Sequence, residues 1–378
     1  MINLLRKILK PKYDTLNEIE ISAEKIISNF NYLKSLQPSA EIFPVLKSNA
    51  YGHGLKEVCH ILNKTSASMI VVDSFPEAQI AYRYFKGHVL ILGEMPIDVY
   101  KYARLARTEF VIYNSETLKY VSRYGKRARI HLFVNSGMNR EGIKDLDVFI
   151  RENRSYLDRV EIVGLCSHLA SADNQDSALN KEQEDRFMAD LEILKTAGFS
   201  PRFVHLGNSA AIFSLNNKLL NAYRPGLALY GYAPIDNINS SKNELKAALE
   251  VFSHIVSVQD LKKGESVSYN ENYKADRDLS IAVIPFGYFE GLDRRLSNQA
   301  KFLIEDESGD FFAPIAGKVC MNLTCLEINK PVVVGDVVKV ISDNNEDPNS
   351  VINISKIIGT IPYEFLVKLQ ANIRRKIV

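Results

Sequence analysis

The sequence lacks the features that indicate a metal, redox or nucleic-acid-binding protein. It has few cysteines, Cys59, Cys166, Cys320 and Cys325, and no CxxC pair that could form a zinc or redox site. Its 47 basic and 45 acidic side chains nearly balance, so charge gives no reason to expect nucleic acid or an anionic membrane as partner. No HExxH or similar metal-binding spacing is present. These absences favour a small-molecule partner and no metal.

Long apolar runs are also missing. The longest, such as 281–286, are far shorter than the roughly 20 residues that span a bilayer. No secretory signal precedes the cysteines, so we expect a cytoplasmic protein with reduced, mostly buried thiols. Residues 1–14 combine leucines with arginine and lysines, and we expect a frayed or docked basic extension there. A membrane anchor is disfavoured because stable anchoring generally needs more than one signal.

The chain of 378 residues is longer than one hydrophobic core usually organises, which predicts two domains. From about residue 17 to 232, short β-branched runs alternate with segments of helical period, a pattern that predicts βα units around a parallel sheet. The run 68–72 precedes a helical pattern at 77–85, and 110–112 precedes a predicted helix start at Asn114 or Ser115. Small or polar residues repeatedly follow the predicted strands, which is where a βα barrel places its active site.

After about residue 247 the pattern changes to strands bounded by turn residues, such as 251–258, 279–285 and 337–341. This change predicts a mostly β second domain. The predicted organisation is therefore a basic extension at 1–14, a βα barrel at 15–245 and a β domain at 246–378.

The segment FPVLKSNAYGHG at 43–54 is the first with a chemical signature. An apolar run ends at Lys47 and gives way to small, glycine-rich and polar residues, so the lysine would point from a strand end into a cavity. By itself this is a weak indication, because a lysine after a strand is more often solvated than catalytic. Gly52 and Gly54 do not complete a GxGxxG pattern, which excludes a Rossmann-type dinucleotide fingerprint there.

Read together, VLKSNAYGHG resembles the pyridoxal-phosphate lysine motif of the alanine racemase family almost residue for residue. Further segments are similar to the family's motifs and follow in its order: NSGMNREGI (135–143), SHLASAD (167–173), HLGNSAA (205–211), RPGLALYG (224–231), VSY (267–269), FGY (286–288), GKVCMN (317–322) and IPYE (361–364). The resemblance covers nearly the whole chain after residue 17. It implies an eight-stranded βα (TIM-like) barrel, a C-terminal, mostly antiparallel β domain, and a homodimer with shared active sites.

The resemblance also implies a two-base isomerase with pyridoxal 5′-phosphate as cofactor. Lys47 would bind the cofactor and act on one face of the substrate α-carbon, and Tyr269 of the partner subunit would act on the other. A tyrosine has an ordinary pKa of about 10, so a base role requires cationic or hydrogen-bonding neighbours. The resemblance puts His168 and Arg224 in that network. It sets Arg224 against the pyridine nitrogen, where a permanently protonated group disfavours transamination.

The remaining site residues follow from the same motifs and from the neutral donors that a phosphate needs. The predicted cofactor-binding set is Lys47, Tyr51, His168, Asn208, Ser209, Arg224, Gly226, Leu227 and Tyr363. Arg140 is expected to pair with the substrate carboxylate or the cofactor's phenolic oxygen, and Met321 to add a backbone contact. Structural or surface roles are expected for the other histidines, His53, His60, His88, His131 and His254.

Several positions depart from the family pattern. Phe133 stands where many alanine racemases carry a carbamylated lysine that fixes the arginine, so Arg140 must be oriented otherwise. Asn135 and Asn322 replace the usual aspartates, and Phe289-Glu290 replaces an alanine-aspartate pair. These departures bear on substrate preference more than on reaction type.

The leading expectation is interconversion of L- and D-alanine, which by resemblance would supply D-alanine for peptidoglycan. One alternative is a racemase for serine, lysine or several amino acids. A second is a fold-type-III decarboxylase, which normally has a cysteine opposite the lysine and a Glu-Pro-Gly motif, whereas this chain has Arg224-Pro-Gly. A third is a non-catalytic pyridoxal-phosphate-binding protein, which would lack a β domain and Tyr269.

Overall fold

The structure is a computed structural model that describes residues 13–215, 217–235, 244–305 and 309–378. Its contacts divide the chain into two units. One unit is Ser22–Ala248, and the other combines the residues before Ser22 with Leu249–Val378. Most of the basic extension expected at 1–14 lies outside the described residues.

The strands, in chain order, are β1 (Glu18–Ile21), β2 (Glu41–Ile42), β3 (Met69–Val72), β4 (His88–Ile91), β5 (Thr108–Ile112), β6 (Arg129–Phe133), β7 (Glu161–Cys166), β8 (Phe203–His205), β9 (Ala222–Tyr223), β10 (Leu249–His254), β11 (Ser257–Leu261), β12 (Ser266–Val267), β13 (Tyr273–Lys274), β14 (Leu279–Ile284), β15 (Lys301–Ile304), β16 (Phe311–Pro314), β17 (Thr324–Ile328), β18 (Val337–Ile341) and β19 (Arg374–Ile377). The helices are α1 (Ala23–Leu36), α2 (Leu55–Leu62), α3 (Phe75–Tyr84), α4 (Ser115–Val121), α5 (Leu146–Leu157), α6 (Ala178–Thr196), α7 (Ala211–Ser214), α8 (Val351–Ile358) and α9 (Pro362–Lys368). Short 3₁₀ turns lie between several of them.

The unit Ser22–Ala248 is a parallel βα barrel. Strands β3 to β8 form a six-stranded parallel sheet in chain order, and β2 pairs in parallel with β9. A parallel bridge between Val45 and Val71 continues β2 onto β3. The backbone N–H of Asn221 donates to the carbonyl of Val204 at 3.1 Å and so joins β9 to β8. The eight strands therefore close into a ring, which confirms the predicted TIM-like fold.

The barrel strands are buried on both faces, as all-parallel sheets are. Every residue of β3 is buried, and so is every residue of β5. Helices cover the outside, and their starts follow ordinary capping chemistry. Asn114 caps α4 by accepting the backbone N–H of Thr117 at 2.9 Å, which confirms the predicted helix start.

The second unit is built on an antiparallel-rich sheet of six strands in the order β16-β15-β18-β10-β1-β19, with a three-stranded sheet β11-β14-β17. Strand β1 belongs here, and the sequence-based boundary that assigned residues 15–21 to the barrel is wrong for them. The backbone of β1 pairs antiparallel with β10 and parallel with β19. Its side chains alternate between buried and half-buried, as in a sheet with one covered face.

Among the described residues, none of the helices has both the length and the apolar character needed to cross a membrane.

Candidate active site

Lys47 lies at the carboxyl end of the barrel, directly after the bridge that continues β2. The four residues that follow it, Ser48 to Tyr51, all have φ between 52° and 55°, so the chain makes a left-handed helical turn. A non-glycine residue in this region costs roughly 1 kcal/mol or more. Gly52 and Gly54, with φ of 81° and 98°, then return the chain to α2 without that cost. Strain of this kind concentrates at functional sites.

Two acidic residues contact this segment, Glu77 at the backbone of the turn and Asp73 at the Lys47 side chain. Glu77, on α3, accepts the backbone N–H of Ser48 at 2.6 Å through Oε1 and that of Asp73 at 2.9 Å through Oε2. The carboxylate of Asp73 lies 3.6 Å from the Lys47 amine, and both side chains are substantially exposed, so this ion pair is weak. Neither Glu77 nor Asp73 was predicted from the sequence to belong to the site. The position of Asp73 directly after a buried strand was the available signal.

The predicted phosphate-binding residues of the barrel meet at one place. Ser209 Oγ accepts the backbone N–H of Gly226 at 2.9 Å and that of Ala228 at 3.2 Å. The Tyr51 hydroxyl lies against Gly226, since a Cβ at that glycine would come within 2.4 Å of the oxygen. Leu227 begins the 3₁₀ turn that follows. Hydroxyls and backbone N–H groups thus converge, without a carboxylate among these contacts.

Asn208 is adjacent to this group but is used locally. Its side-chain oxygen accepts the backbone N–H groups of Ala210 and Ala211 at 3.0 and 3.2 Å. These bonds cap the short helix α7 and leave its amide nitrogen as the group able to donate elsewhere.

Arg224 follows β9 and is 5% exposed. Its Nη1 donates to the Nδ1 and the carbonyl of His205 at 2.5 and 2.8 Å, and its Nη2 donates to the carbonyl of Ser167 at 2.5 Å. A guanidinium has five N–H groups, so these bonds leave Nε and one Nη2 hydrogen for another acceptor. Burial lowers the pKa of Arg224. Within the described part of the chain these acceptors are an imidazole and two carbonyls, so these bonds do not neutralise the charge of Arg224.

His168 follows β7 in the same end of the barrel. Desolvation, followed by the charges of Arg224, Arg140 and Lys47, lowers the pKa of His168 to about 3. The imidazole is therefore neutral at physiological pH. The charges that lower its pKa belong to residues of the predicted site.

The barrel interior also holds His131, which was expected from the sequence to be structural, together with His205 and Glu109, for which no role was predicted. His131 on β6 contacts His205 on β8 at 2.8 Å and Glu109 on β5 at 2.7 Å. All three are buried, and His205 is bonded to Arg224. Their positions on β5, β6 and β8 were the only sequence signal, and strand assignment alone does not show which rings meet.

Phe133 replaces the family's lysine with a buried aromatic side chain. Its ring lies 5.0 Å from that of Tyr113, and a Cβ at Gly142 would come within 2.8 Å of it. Arg140 is paired instead with its neighbour Glu141, whose Oε1 accepts from Nε and Nη2 at 3.2 and 2.7 Å. Both side chains are largely exposed. The structure therefore provides a different carboxylate for Arg140.

The second unit carries its own candidate face. Tyr269 is 63% exposed and Met321 is 55% exposed, and both line a pocket of about 510 Å³ together with Tyr288, Arg294 and Cys320. Tyr269 is flanked by Ser268 and Asn270 with φ of 67° and 62°, which presents its ring on a sharply turned segment.

Two further residues of this unit belong to the predicted site or its departures. Tyr363 lies in the first turn of α9. Asn322 donates its amide to the Oε1 of Glu290 at 3.0 Å. Two of the residues that depart from the family pattern, Asn322 and Glu290, therefore bond to each other.

The barrel donor set has a chemistry that can be tested against pyridoxal phosphate. It combines one amine at Lys47, a buried guanidinium with spare donors at Arg224, and neutral donors around Gly226. An amine suits a carbonyl, neutral donors suit a phosphate, and an arginine suits a ring nitrogen that acts as an acceptor. The residues therefore fit this cofactor. Among the described residues, no cluster of metal-ligating side chains is present.

Comparison with known proteins gives consistent matches. Residues 21–234 match the family model of the alanine racemase N-terminal domain, and residues 248–377 match that of the alanine racemase C-terminal domain. The chain is 32% identical to alanine racemase 2 of Caldanaerobacter subterraneus over 94% of its length and 93% of the relative's. It is 32% identical to an alanine racemase of Borreliella burgdorferi, with 95% and 96% of the two chains covered. The crystal structure of alanine racemase from Bacillus anthracis with bound L-Ala-P superposes with a TM-score of 0.89 at 26% identity, covering 97% and 96%.

Proposed function

The chain belongs to the alanine racemase family, and on that premise we propose that it is a pyridoxal-phosphate-dependent isomerase that interconverts L- and D-alanine. The family is pyridoxal-phosphate-dependent, and relatives over nearly the whole chain carry the name alanine racemase. The observation that carries the proposal is that the barrel holds both an amine at the strand end, Lys47, and a buried guanidinium, Arg224, whose bonds to the described residues include no carboxylate.

Lys47 is proposed to hold the cofactor and to move the α-proton on one face. When bound, pyridoxal 5′-phosphate supplies the electron-withdrawing group that makes the α-proton of an amino acid removable. Lys47 Nζ is its attachment point and, once displaced by the substrate amine, a base beside the α-carbon. Glu77 and the left-handed turn aim this side chain, while the weak contact with Asp73 leaves the amine free to exchange partners.

The other barrel residues are proposed to orient the cofactor. Tyr51, Ser209, Gly226 and the backbone N–H of Leu227 would hold its phosphate, with the Gly226 N–H fixing the Ser209 hydroxyl and with Asn208 and Tyr363 as further donors. Arg224 would donate to the ring nitrogen, and a donor that keeps its proton would leave that nitrogen largely unprotonated. His168, neutral in this environment, serves as a hydrogen-bonding neighbour of the second base. Arg140 and Met321 bind the substrate.

Tyr269 is proposed as the base on the opposite face, contributed by the partner subunit of a homodimer. A single base serves one face of a planar carbon, so a two-base racemase needs a second group. The support is the family pattern together with the exposed ring of Tyr269 on its turned segment. The isolated monomer is expected to be inactive.

Subunit complementation tests both bases at once. Lys47→Ala and Tyr269→Phe homodimers are each expected to lose L-to-D exchange of alanine, measured by chiral chromatography. When equal amounts of the two variants are mixed and reassociate, half of all dimers are hybrids. Each hybrid has one intact site of two, so about a quarter of wild-type activity should return. Retained exchange in Lys47→Ala refutes the racemase proposal, and no recovery in verified hybrids refutes the shared site.

Substrate preference is proposed to be alanine, with the departures at Phe133, Asn135 and Asn322 as the reason to test others. The wild-type protein should be incubated with L-alanine, L-serine, L-lysine and L-arginine, and kcat/KM should be highest for alanine. A higher value for serine or lysine favours the alternative racemase. Release of carbon dioxide and an amine identifies a decarboxylase, and unchanged amino acids identify a non-catalytic carrier. A cytoplasmic location and supply of D-alanine for peptidoglycan remain predictions.

A further inference from the structure

A continuous hydrogen-bonded chain crosses the barrel interior from Glu109 to Arg224. Glu109 Oε2 lies 2.7 Å from His131 Nε2, and His131 Nδ1 lies 2.8 Å from His205 Nε2. His205 Nδ1 then lies 2.5 Å from Arg224 Nη1. The four side chains are between 0% and 5% exposed. The chain is thus shielded from water, and each of its polar atoms must be satisfied within the protein.

The β7 strand is built to let the two imidazoles meet. Gly164 is paired with His131 in the barrel sheet, and Cys166 is paired with His205. A Cβ at Gly164 would lie 1.9 Å from His131 Nδ1, inside the space of the ring. The ring of His131 reaches across β7 to β8 because residue 164 has no side chain.

The two ends of the chain determine the direction of every hydrogen bond. Arg224 only donates, so His205 Nδ1 must accept and its proton must be on Nε2. That proton is donated to His131 Nδ1, which leaves the His131 proton on Nε2, where it is donated to Glu109. Ionised glutamate only accepts, so the assignment is consistent at both ends with two neutral imidazoles.

The electrostatic environment agrees with this assignment. Burial, followed by the charge of Arg224, lowers the pKa of His205 well below its ordinary value, which keeps its imidazole neutral. Burial raises the pKa of Glu109, but the hydrogen bond from His131 and the charge of Arg129 oppose it and leave a lowered pKa. Glu109 is therefore ionised at neutral pH.

We propose that Glu109 is a positioning residue for Arg224 that acts through His131 and His205 by fixing the tautomer of His205. With the bare Nδ1 of His205 and the carbonyls of His205 and Ser167 as fixed acceptors, the guanidinium keeps one orientation. Nε and one Nη2 hydrogen then remain for the cofactor ring nitrogen. This inference rests on the proposed function for its catalytic consequence. The hydrogen-bonded series Glu109–His131–His205–Arg224, called the relay below, does not depend on that function.

The consequence of losing the acceptor at position 109 follows from the same logic. With an apolar residue there, the Nε2 proton of His131 is buried without a partner. The opposite tautomers avoid that cost but point the Nδ1 proton of His205 at a donor of Arg224. Either state weakens the hold on the guanidinium. A glutamine at position 109 keeps an acceptor oxygen for His131, so the direction of each hydrogen bond is preserved although the charge is lost.

The experiment compares Glu109→Leu, Glu109→Gln, Gly164→Ala and Arg129→Gln in the full-length holoenzyme. Arg129 is the matched control, because its Nε lies 3.7 Å from the outer oxygen of Glu109 and takes no part in the relay. We expect kcat for alanine to fall by about tenfold or more in Glu109→Leu and Gly164→Ala. We expect Glu109→Gln and Arg129→Gln to stay within about threefold of wild type.

Histidine tautomers provide the readout that does not depend on activity. Magic-angle-spinning NMR of ¹⁵N-histidine-labelled protein should show His205 and His131 protonated on Nε2 alone in the wild type and in Glu109→Gln. Glu109→Leu should change at least one of them. A wild-type His205 that carries a proton on Nδ1 overturns the proposal without any variant. Equal loss in Glu109→Gln and Glu109→Leu overturns it too, since charge would then be the cause.

The two proposals fail in distinguishable ways. If the protein does not racemise alanine, every variant is inactive with alanine and the NMR spectra still test the relay. If the relay is wrong, wild-type racemisation remains and only the tautomers and variant kinetics differ from expectation. Gly164→Ala changes no titratable group, so it provides the steric test if Glu109→Leu does not fold.

Discussion

The carboxylate of Glu77 joins the turn after Lys47 to the residue that pairs with Lys47. One oxygen accepts the N–H of Ser48 at 2.6 Å, and the other accepts that of Asp73 at 2.9 Å. Because Ser48 begins a left-handed turn of four non-glycine residues, the charged acceptor offsets part of the backbone strain.

Replacing Glu77 should therefore release the turn. Glu77→Ala is expected to lower the free energy of unfolding by about 2 kcal/mol, because hydrogen bonds to a charged group contribute about 1.5 to 3 kcal/mol. The same variant should weaken binding of pyridoxal phosphate, since Lys47 is no longer aimed. Urea denaturation and a cofactor titration measure the two effects. Glu116→Ala is the control, because Glu116 is an exposed first-turn glutamate of α4. Equal effects from the two variants would contradict the assignment.

The contact between Asn322 and Glu290 predicts a charge-dependent pair. Asn322→Asp should lose the amide donor and place two carboxylates about 3.0 Å apart, next to Met321. We expect KM for alanine to rise several-fold, because like charges at this distance repel. Glu290→Gln in the Asn322→Asp background should restore a donor and recover most of the loss. A double-mutant cycle with no interaction energy between the positions would rule out this coupling.

Two histidines with lowered pKa values predict loss of stability on mild acidification. The pKa values of His168 and His205 in the folded protein are below the unfolded value of about 6.5. Below pH 6.5 the unfolded chain takes up protons that the folded state excludes, so unfolding becomes easier as pH falls. Below pH 6.5 each histidine lowers the free energy of unfolding by up to about 1.4 kcal/mol per pH unit. Above pH 6.5 both states are unprotonated at this group and no stability is lost.

Denaturation in urea between pH 7.5 and 5 measures this slope. His168→Asn should reduce it more than His60→Asn, which changes an exposed side chain on α2. The loss of stability caused by His168 should continue as the pH falls to its folded-state pKa of about 3. Identical slopes in the two variants would contradict the conclusion that His168 is neutral in the folded protein.

The four thiols should differ in reactivity. Burial raises the pKa of Cys59 and Cys166 to about 12 and that of Cys325 to about 11, so little reactive thiolate is present. Cys320 is partly exposed and lines the pocket that contains Tyr269. Iodoacetamide should therefore label Cys320 first in the native protein, as read by peptide mass spectrometry.

Bound alanine analogue should slow that labelling if the pocket is part of the site. Cys320→Ser should remove the fast phase and leave the others unchanged. Fast modification of Cys59 or Cys166 in the native state would contradict the burial that the structure shows.

Much of the molecule could be predicted from local sequence. The alternation of β-branched runs and helical periods predicted the barrel, because each strand and helix must bury a face set by its own residues. Asn114 predicted a helix start because its side chain satisfies a backbone N–H three residues along the chain. The segment around Lys47 identified the family, since its motif is contiguous. The roles proposed for Lys47, Tyr269 and Arg224 remain predictions.

What the sequence did not determine depends on contacts between distant residues. The alternating pattern of β1 fits any sheet with one covered face, and only pairing with β10 and β19 assigns it to the second unit. His131 and His205 meet because barrel closure and Gly164 bring their rings together across β7. The bond between Asn322 and Glu290 likewise joins residues that are 32 positions apart in the chain. Local propensity determined the elements and the lysine motif, whereas the partners of buried polar groups were decided by tertiary structure, because such groups are satisfied by whatever the fold brings within hydrogen-bond distance.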